Sequence, residues 1–107
     1  MIVRSWSART TRAHLSAYVE HVRRRVLPEL RAIDGFRGAS VLQREVDGAV
    51  EIVVQTQWDS LEAIRRFAGA DAGRAVVEDA AAAMLTEFDQ RAKHYEVALE
   101  DNPEGRA

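Results

Sequence analysis

Few side chains in this sequence could do chemistry. Cysteine is absent, which removes thiolate nucleophiles, disulfides, iron–sulfur clusters and cysteine zinc sites. Three histidines remain, His14, His21 and His94. His14 and His21 stand seven apart in a predicted helix, so their α-carbons differ by about 10.5 Å along the axis. That is too far for one metal ion, since a helical metal pair uses a spacing of three or four. His94 is the candidate general base, because an imidazole titrates near neutrality. Glu96 lies two residues on along a strand, roughly 6.6 Å away, so it would orient the ring only indirectly. A subunit-interface role for His94 is the plainer alternative. Arg44 could stabilise an anion. Trp58 ends a strand pattern where a flat ligand could stack, or else closes the core beneath the following helix cap. Tyr18 and Tyr95 could donate hydrogen bonds to a substrate oxygen, as tyrosines at a core edge also do structurally. No Ser-His-Asp order, P-loop, dinucleotide glycine fingerprint or HExxH is present.

The elements that must position these residues can be read from periodicity. Met1 to Ala8 alternates and suits a first strand, with Arg4 and Trp6 on one face. Thr10 or Thr11 can cap a helix in which Leu15, Tyr18, Val19, Val22, Val26, Leu30 and Ile33 recur at helical spacing. Pro28 removes a backbone donor there, which predicts a kink or break near Arg24 and Arg25. Asp34-Gly35 ends that helix.

Two alternating runs follow, joined by Asp47-Gly48, a strong hairpin signal because both residues tolerate positive φ. Two registers are open. A two-residue loop sets Arg44 opposite Glu51, while a three-residue loop with a Gly48 bulge groups Ser40 and Leu42 with Val50, Ile52, Val54, Thr56 and Trp58. Asp59 or Ser60 caps a second helix, with Glu62 placed for a capping box and Leu61, Ile64, Phe67 and Ala68 as its buried stripe. Gly69 and Gly73 interrupt it, Ala75 to Leu85 resumes helical character, and a last strand runs from about Asp89 to Leu99. The domain therefore covers residues 1–99, and residues 100–107 form a polar tail.

A chain of 107 residues with 47% hydrophobic content supports one domain with one core. No apolar run approaches the roughly 20 residues of a membrane span, and the start is not that of a signal peptide, so a cytoplasmic protein with no membrane partner is expected. Net charge is −2, so no positive field recruits nucleic acid. Arg23-Arg24-Arg25 and Arg65-Arg66 read as solvated helix faces. One lysine among 15 basic residues, with abundant alanine, is the bias of GC-rich bacterial coding.

The order β-α-β-β-α-β predicts an α+β, ferredoxin-like fold: a four-stranded antiparallel sheet with helices on one face. Its other face keeps apolar residues and needs a cover. A homodimer packed through its sheet faces supplies one.

Over Met1 to Leu99 the chain resembles the antibiotic biosynthesis monooxygenase-like (ABM) family of the dimeric α/β-barrel superfamily. The resemblance rests on Pro28-Glu29-Leu30 followed by Gly35-Phe36, on the hairpin, on Trp58-Asp59-Ser60-Leu61-Glu62-Ala63 with Phe67 behind it, and on His94-Tyr95-Glu96-Val97. It implies a small dimer with a pocket between sheet and helices in each protomer. The family it implies includes cofactor-independent oxygenases of polyketide phenols, haem-degrading enzymes, quinol oxygenases and many proteins of unknown role. Family sites often use an Asn, and the only Asn here is Asn102. The haem-degrading branch places a ligand His where this chain has Ala75, Val76 and Val77, which disfavours haem.

The expected function is a cofactor-independent monooxygenase of a phenol- or hydroquinone-like aromatic. Its catalytic residues would be His94 and Arg44, with Trp58, Tyr18 and Tyr95 binding substrate and no cofactor or metal. The alternative is a non-catalytic small-ligand-binding or interaction module of the same fold.

Overall fold

The computed structural model describes residues Met1–Pro103; the end of the expected tail, residues 104–107, lies outside the described residues. Strand β1 (Ile2–Thr10) is the central member of the sheet. Its alternate residues Arg4, Trp6, Ala8 and Thr10 are buried against the helices, as the twofold period of a strand requires.

Helix α1 (Arg12–His21) begins where the Thr11 side chain accepts the His14 N–H. It passes into a π-helical segment, Val22–Val26, and then into α2 (Leu27–Arg31). The predicted kink falls inside that segment. Pro28 can donate no backbone hydrogen bond, and the Leu27 N–H reaches back five residues to the Val22 carbonyl, the widened pattern of a π turn. The chain leaves α2 through Gly35 at φ +97°, where an added Cβ would sit 2.6 Å from that of Ala63, so only glycine fits.

Strands β2 (Phe36–Val46) and β3 (Ala49–Trp58) form the hairpin. Asp47 at φ 49° and Gly48 at φ 80° make a two-residue loop, the mirror-image turn whose twist suits paired strands. Of the two registers, the structure therefore takes the one that sets Arg44 opposite Glu51 and Leu42 opposite Val53.

Ser60 caps α3 (Leu61–Ala68) by accepting the Ala63 N–H. Ala63 thus holds the third helical position, and Glu62 cannot close a capping box; it pairs with Arg66 instead. Ala63, Ile64 and Ala68 are buried while Leu61 stays exposed.

Residues 75–85 do not form the expected helix. Arg74 bridges to Arg91, the Ala75 N–H bonds the Gln90 carbonyl, and the chain stays non-helical to Glu78, as β-branched Val76 and Val77 favour. Helix is confined to one turn, α4 (Asp79–Ala82). The expected closing strand is likewise two short strands, β4 (Leu85–Phe88) and β5 (Lys93–Glu96), both antiparallel to β1. They are separated where Trp6 Nε1 donates to the Asp89 carbonyl and the Ala92 N–H bonds the Gly73 carbonyl. The antiparallel sheet has the order β2-β3-β1-β4, with β5 also on β1. It is open, and its helices lie on one face, as a ferredoxin-like fold predicts. Among the described residues no helix is long and apolar enough to cross a membrane.

Candidate functional site

On the helix-facing side of the sheet, cross-strand partners form rows. Ile2, Trp58 and Phe36 make one, and Trp6, Val54 and Val41 another. The row between them is polar: His94, Arg4, Thr56 and Ala39 succeed one another across β5, β1, β3 and β2. The apolar rows belong to separate core clusters, one around Trp6, Tyr18, Val22 and Ile52, the other around Trp58, Leu30 and Ile64. The polar row is the seam between them.

A cavity of about 70 Å³ opens at this seam beneath the π-helical segment. Arg4, Tyr18, His21, Thr56 and Phe67 line it, and Val76, Val77 and Glu78 form a strap along one wall. The bulged π turn accounts for part of the space, because Val22 and Val26 at its two ends also line the cavity.

Arg4 is only 6% exposed. Its Nη2 donates to the Arg74 carbonyl at 2.7 Å, its guanidinium carbon lies 5.4 Å from the centre of the Phe67 ring, and its Nε has no partner. Burial holds its pKa below the ordinary arginine value. Tyr18 is 4% exposed, and burial pushes its phenol up to about 12, so at neutral pH it is a neutral donor. Thr56 Oγ1 accepts a hydrogen bond from Trp58 Nε1 at 2.7 Å, which leaves the threonine O–H free to donate elsewhere. His21 holds its Nε2 buried and without a partner. Positive charge, two hydroxyls and one imidazole thus converge on a largely apolar space, an arrangement that can hold a small ring and stabilise an oxyanion on it.

The residues singled out from the sequence fall in different places. Tyr18 is in the cavity. Trp58 is fully buried, edge-on to Phe36 at 5.3 Å and stacked on Phe67 at 6.0 Å; it stands behind the cavity and reaches it through Thr56. His94 lies beside Arg4 at the end of the polar row, outside the lining. Its Nε2 is buried and unpartnered, and burial, aided by the Arg4 charge, lowers its pKa despite the opposing pull of the Ala72 carbonyl. Arg44 is on the opposite side of the sheet, bonded to Glu51 at 2.7 Å, and that bond raises its pKa while lowering that of Glu51. Tyr95 is on that same outer side opposite Val3, 54% exposed.

Sequence reasoning had not marked Arg4, His21 and Thr56 as cavity residues. The signal available for Arg4 was a charge on the Trp6 face of an alternating strand.

The strap is fixed at its root. Arg91 grips Asp71 in a two-pronged pair, Nη1 to Oδ2 at 2.9 Å and Nη2 to Oδ1 at 2.8 Å, which holds the Asp71 carboxyl at about 2. Arg4 pins the chain just before it through the Arg74 carbonyl.

Residues 1–79 match the family model described as antibiotic biosynthesis monooxygenase. The chain belongs to that family. A crystal structure of a candidate antibiotic biosynthesis monooxygenase from Bacillus cereus is similar, with a TM-score of 0.67 at 20% identity over 94% of this chain and 96% of that one. A variant of MhuD crystallised with two manganese protoporphyrin IX molecules bound per active site is also similar, with a TM-score of 0.62 at 22% identity over 95% of this chain and 99% of that one. At these identities the two structures share a fold with this chain. No curated protein matches the sequence.

The porphyrin-bound neighbour makes haem the group to test against the residues present. They do not fit it. With about 70 Å³ open to the centres of water molecules, the cavity has room for roughly five waters or one small ring, far short of a tetrapyrrole. The strap offers only the apolar side chains of Ala75, Val76 and Val77 where the resemblance implies a ligand.

Proposed function

We propose that this member of the antibiotic biosynthesis monooxygenase family is a cofactor-independent monooxygenase of a small phenol or hydroquinone, bound in the cavity beneath α1. The observation that carries the reading is that Arg4, Tyr18, Thr56 and His21 line one partly open, largely apolar space. His21 is the proton acceptor within it, and Arg4 stabilises the resulting phenolate. An electron-rich phenolate in a dry pocket can give electrons to O₂ directly. For a hydroquinone the balance closes without a cofactor: one oxygen atom enters the ring to give a hydroxyquinone, the other leaves as water, and the substrate supplies all four electrons. Tyr18 and Thr56 hold the second ring oxygen as donors.

The outer face of the sheet is proposed to pack on that of a second copy. This would complete the dimer that the family resemblance implies.

The test is oxygen uptake with a panel of monocyclic hydroquinones and catechols, without added flavin or metal, using ¹⁸O₂ to follow incorporation. Uptake is expected with one labelled oxygen in the product. His21→Gln should lower the rate by roughly 100-fold, in the range of a lost general base. Tight retention of a hydroquinone with no uptake would favour the alternative, a non-catalytic small-ligand-binding module using the same cavity.

A further inference from the structure

Arg4 has a property that hydroquinone chemistry does not require. It is a buried cation with no carboxylate paired to it. The ion pairs of the described residues leave it out, and the two carboxylates near the cavity, Glu29 and Glu78, are exposed and make no bond to it. A buried charge without a counter-ion is costly, and proteins normally pair or remove one. Of its five N–H groups, one is used by the Arg74 carbonyl. The aromatic face of Phe67 at 5.4 Å supplies partial compensation. The charge is also placed for a ligand, in the middle of a polar row whose cavity neighbour Thr56 has a free O–H.

We infer that the cavity takes a ligand that arrives already anionic, a small planar molecule whose carboxylate or acidic phenolate oxygen supplies the missing counter-charge to Arg4. A guanidinium meets such a group through two parallel N–H bonds, and Thr56 or Tyr18 can donate a third. The neutral form of the same molecule would leave the arginine unpaired. The site therefore discriminates by charge before any reaction occurs. This rests on the cavity being the binding site, as the proposed oxygenase does, but it does not rest on oxygenation.

Arg4 also serves the fold, since its Nη2 holds the Arg74 carbonyl. Replacing it with an apolar side chain removes an unpaired buried charge, which favours the folded state, and that bond, which opposes it. Stability alone therefore does not decide the role of the charge, and ligand selectivity does.

The experiment is calorimetric or NMR-detected binding to the full chain under anaerobic conditions, comparing isosteric pairs: acetate with acetamide, and benzoate with benzamide. A catechol with an acidic phenol, 4-nitrocatechol, serves as the phenolate arm. Each anion should bind at least roughly tenfold tighter than its neutral partner, the scale of one charge-assisted hydrogen bond. Arg4→Met, and Arg4→Gln which keeps a donor for the Arg74 carbonyl, should stay folded by circular dichroism and lose that preference, and Arg4→Lys should restore part of it. Stronger binding of the carboxylates than of 4-nitrocatechol would assign the charge to a carboxylate, and the reverse would assign it to the ring oxygen. Equal affinity within each pair, no binding of any anion, or a charge preference kept by a folded Arg4→Met or Arg4→Gln protein would each overturn the inference. Charge-selective binding without oxygen uptake would leave it standing while removing the oxygenase reading. Uptake of neutral hydroquinones with no charge preference would do the opposite.

Discussion

The phenol of Tyr18, sealed at 4% exposure beneath α1, makes a prediction that needs no substrate. Burial raises its pKa from the ordinary 10 to about 12, so the folded state holds this proton more tightly than the unfolded one. The stability it contributes is fully present below about pH 10 and is lost as the pH rises toward 12, up to roughly 3 kcal/mol. Tyr18→Phe cannot show that loss. Urea titrations of both proteins at pH 9, 10 and 11 should therefore give curves that run parallel at first, with the wild type falling relative to the variant above pH 10. Curves that stay parallel throughout would mean that the hydroxyl is in contact with solvent.

Tyr18 was readable from sequence because an aromatic at helical spacing must face the core. For Arg4 the alternation gives only a face shared with Trp6 and no role, because a charged side chain is expected to escape burial and nothing local indicates that a cavity will hold it. Arg44 and Tyr95 went the other way. Each alternates correctly along its strand, but alternation does not tell which side the helices will cover.

Among the elements, the segment from Gly69 to Glu78 carries the strap of Val76, Val77 and Glu78 along one wall of the cavity, and its root is an exposed ion pair. Asp71 is held near 2 by Arg91, below the unfolded carboxylate value. Its stabilising contribution is thus present above about pH 4 and lost as the pH falls through 2. Asp71→Asn should remove the grip at neutral pH without disturbing the sheet. Hydrogen exchange of the Val76 and Val77 amides should then quicken by up to about fivefold, the scale of a solvent-exposed pair, while β1 and β3 exchange as before. Equal exchange in both proteins would show that the Ala75–Gln90 and Ala92–Gly73 backbone bonds hold the strap alone.

The strap also marks where element reading from sequence stopped. The hairpin, the Ser60 cap and the kink before Pro28 are local devices, specified by a few adjacent residues, and they were legible. The hairpin register was not, because an Asp-Gly turn suits both loop lengths until the strands pair. The run from Ala75 to Leu85 has helical composition, yet Arg74 and Ala75 are captured by Gln90 and Arg91 from across the chain. Such pairing carries no signature at either end.

At the scale of the whole molecule, the open sheet leaves one face without helices. Val3, Leu42, Val53 and Tyr95 share that face, with Leu42 47% and Tyr95 54% exposed. Toward one end a row of alternating charge crosses four strands, Arg44 to Glu51 at 2.7 Å and Arg9 to Glu87 at 3.4 Å, with Arg9 and Glu51 as cross-strand neighbours. A twofold axis normal to this face would bring the same patch against itself, so apolar residues meet apolar ones and charges of opposite sign can interleave. The expected state is therefore a dimer at micromolar concentration by sedimentation velocity. Leu42→Arg should weaken it by roughly tenfold or more, as the loss of a central apolar anchor does. A wild-type monomer at that concentration would overturn the proposed packing. The cavity is lined from one chain and lies on the other side of the sheet, so the monomeric Leu42→Arg protein should bind 4-nitrocatechol or benzoate with the same affinity as the dimer. A parallel loss of binding would show instead that the covered face keeps the Arg4 row in place.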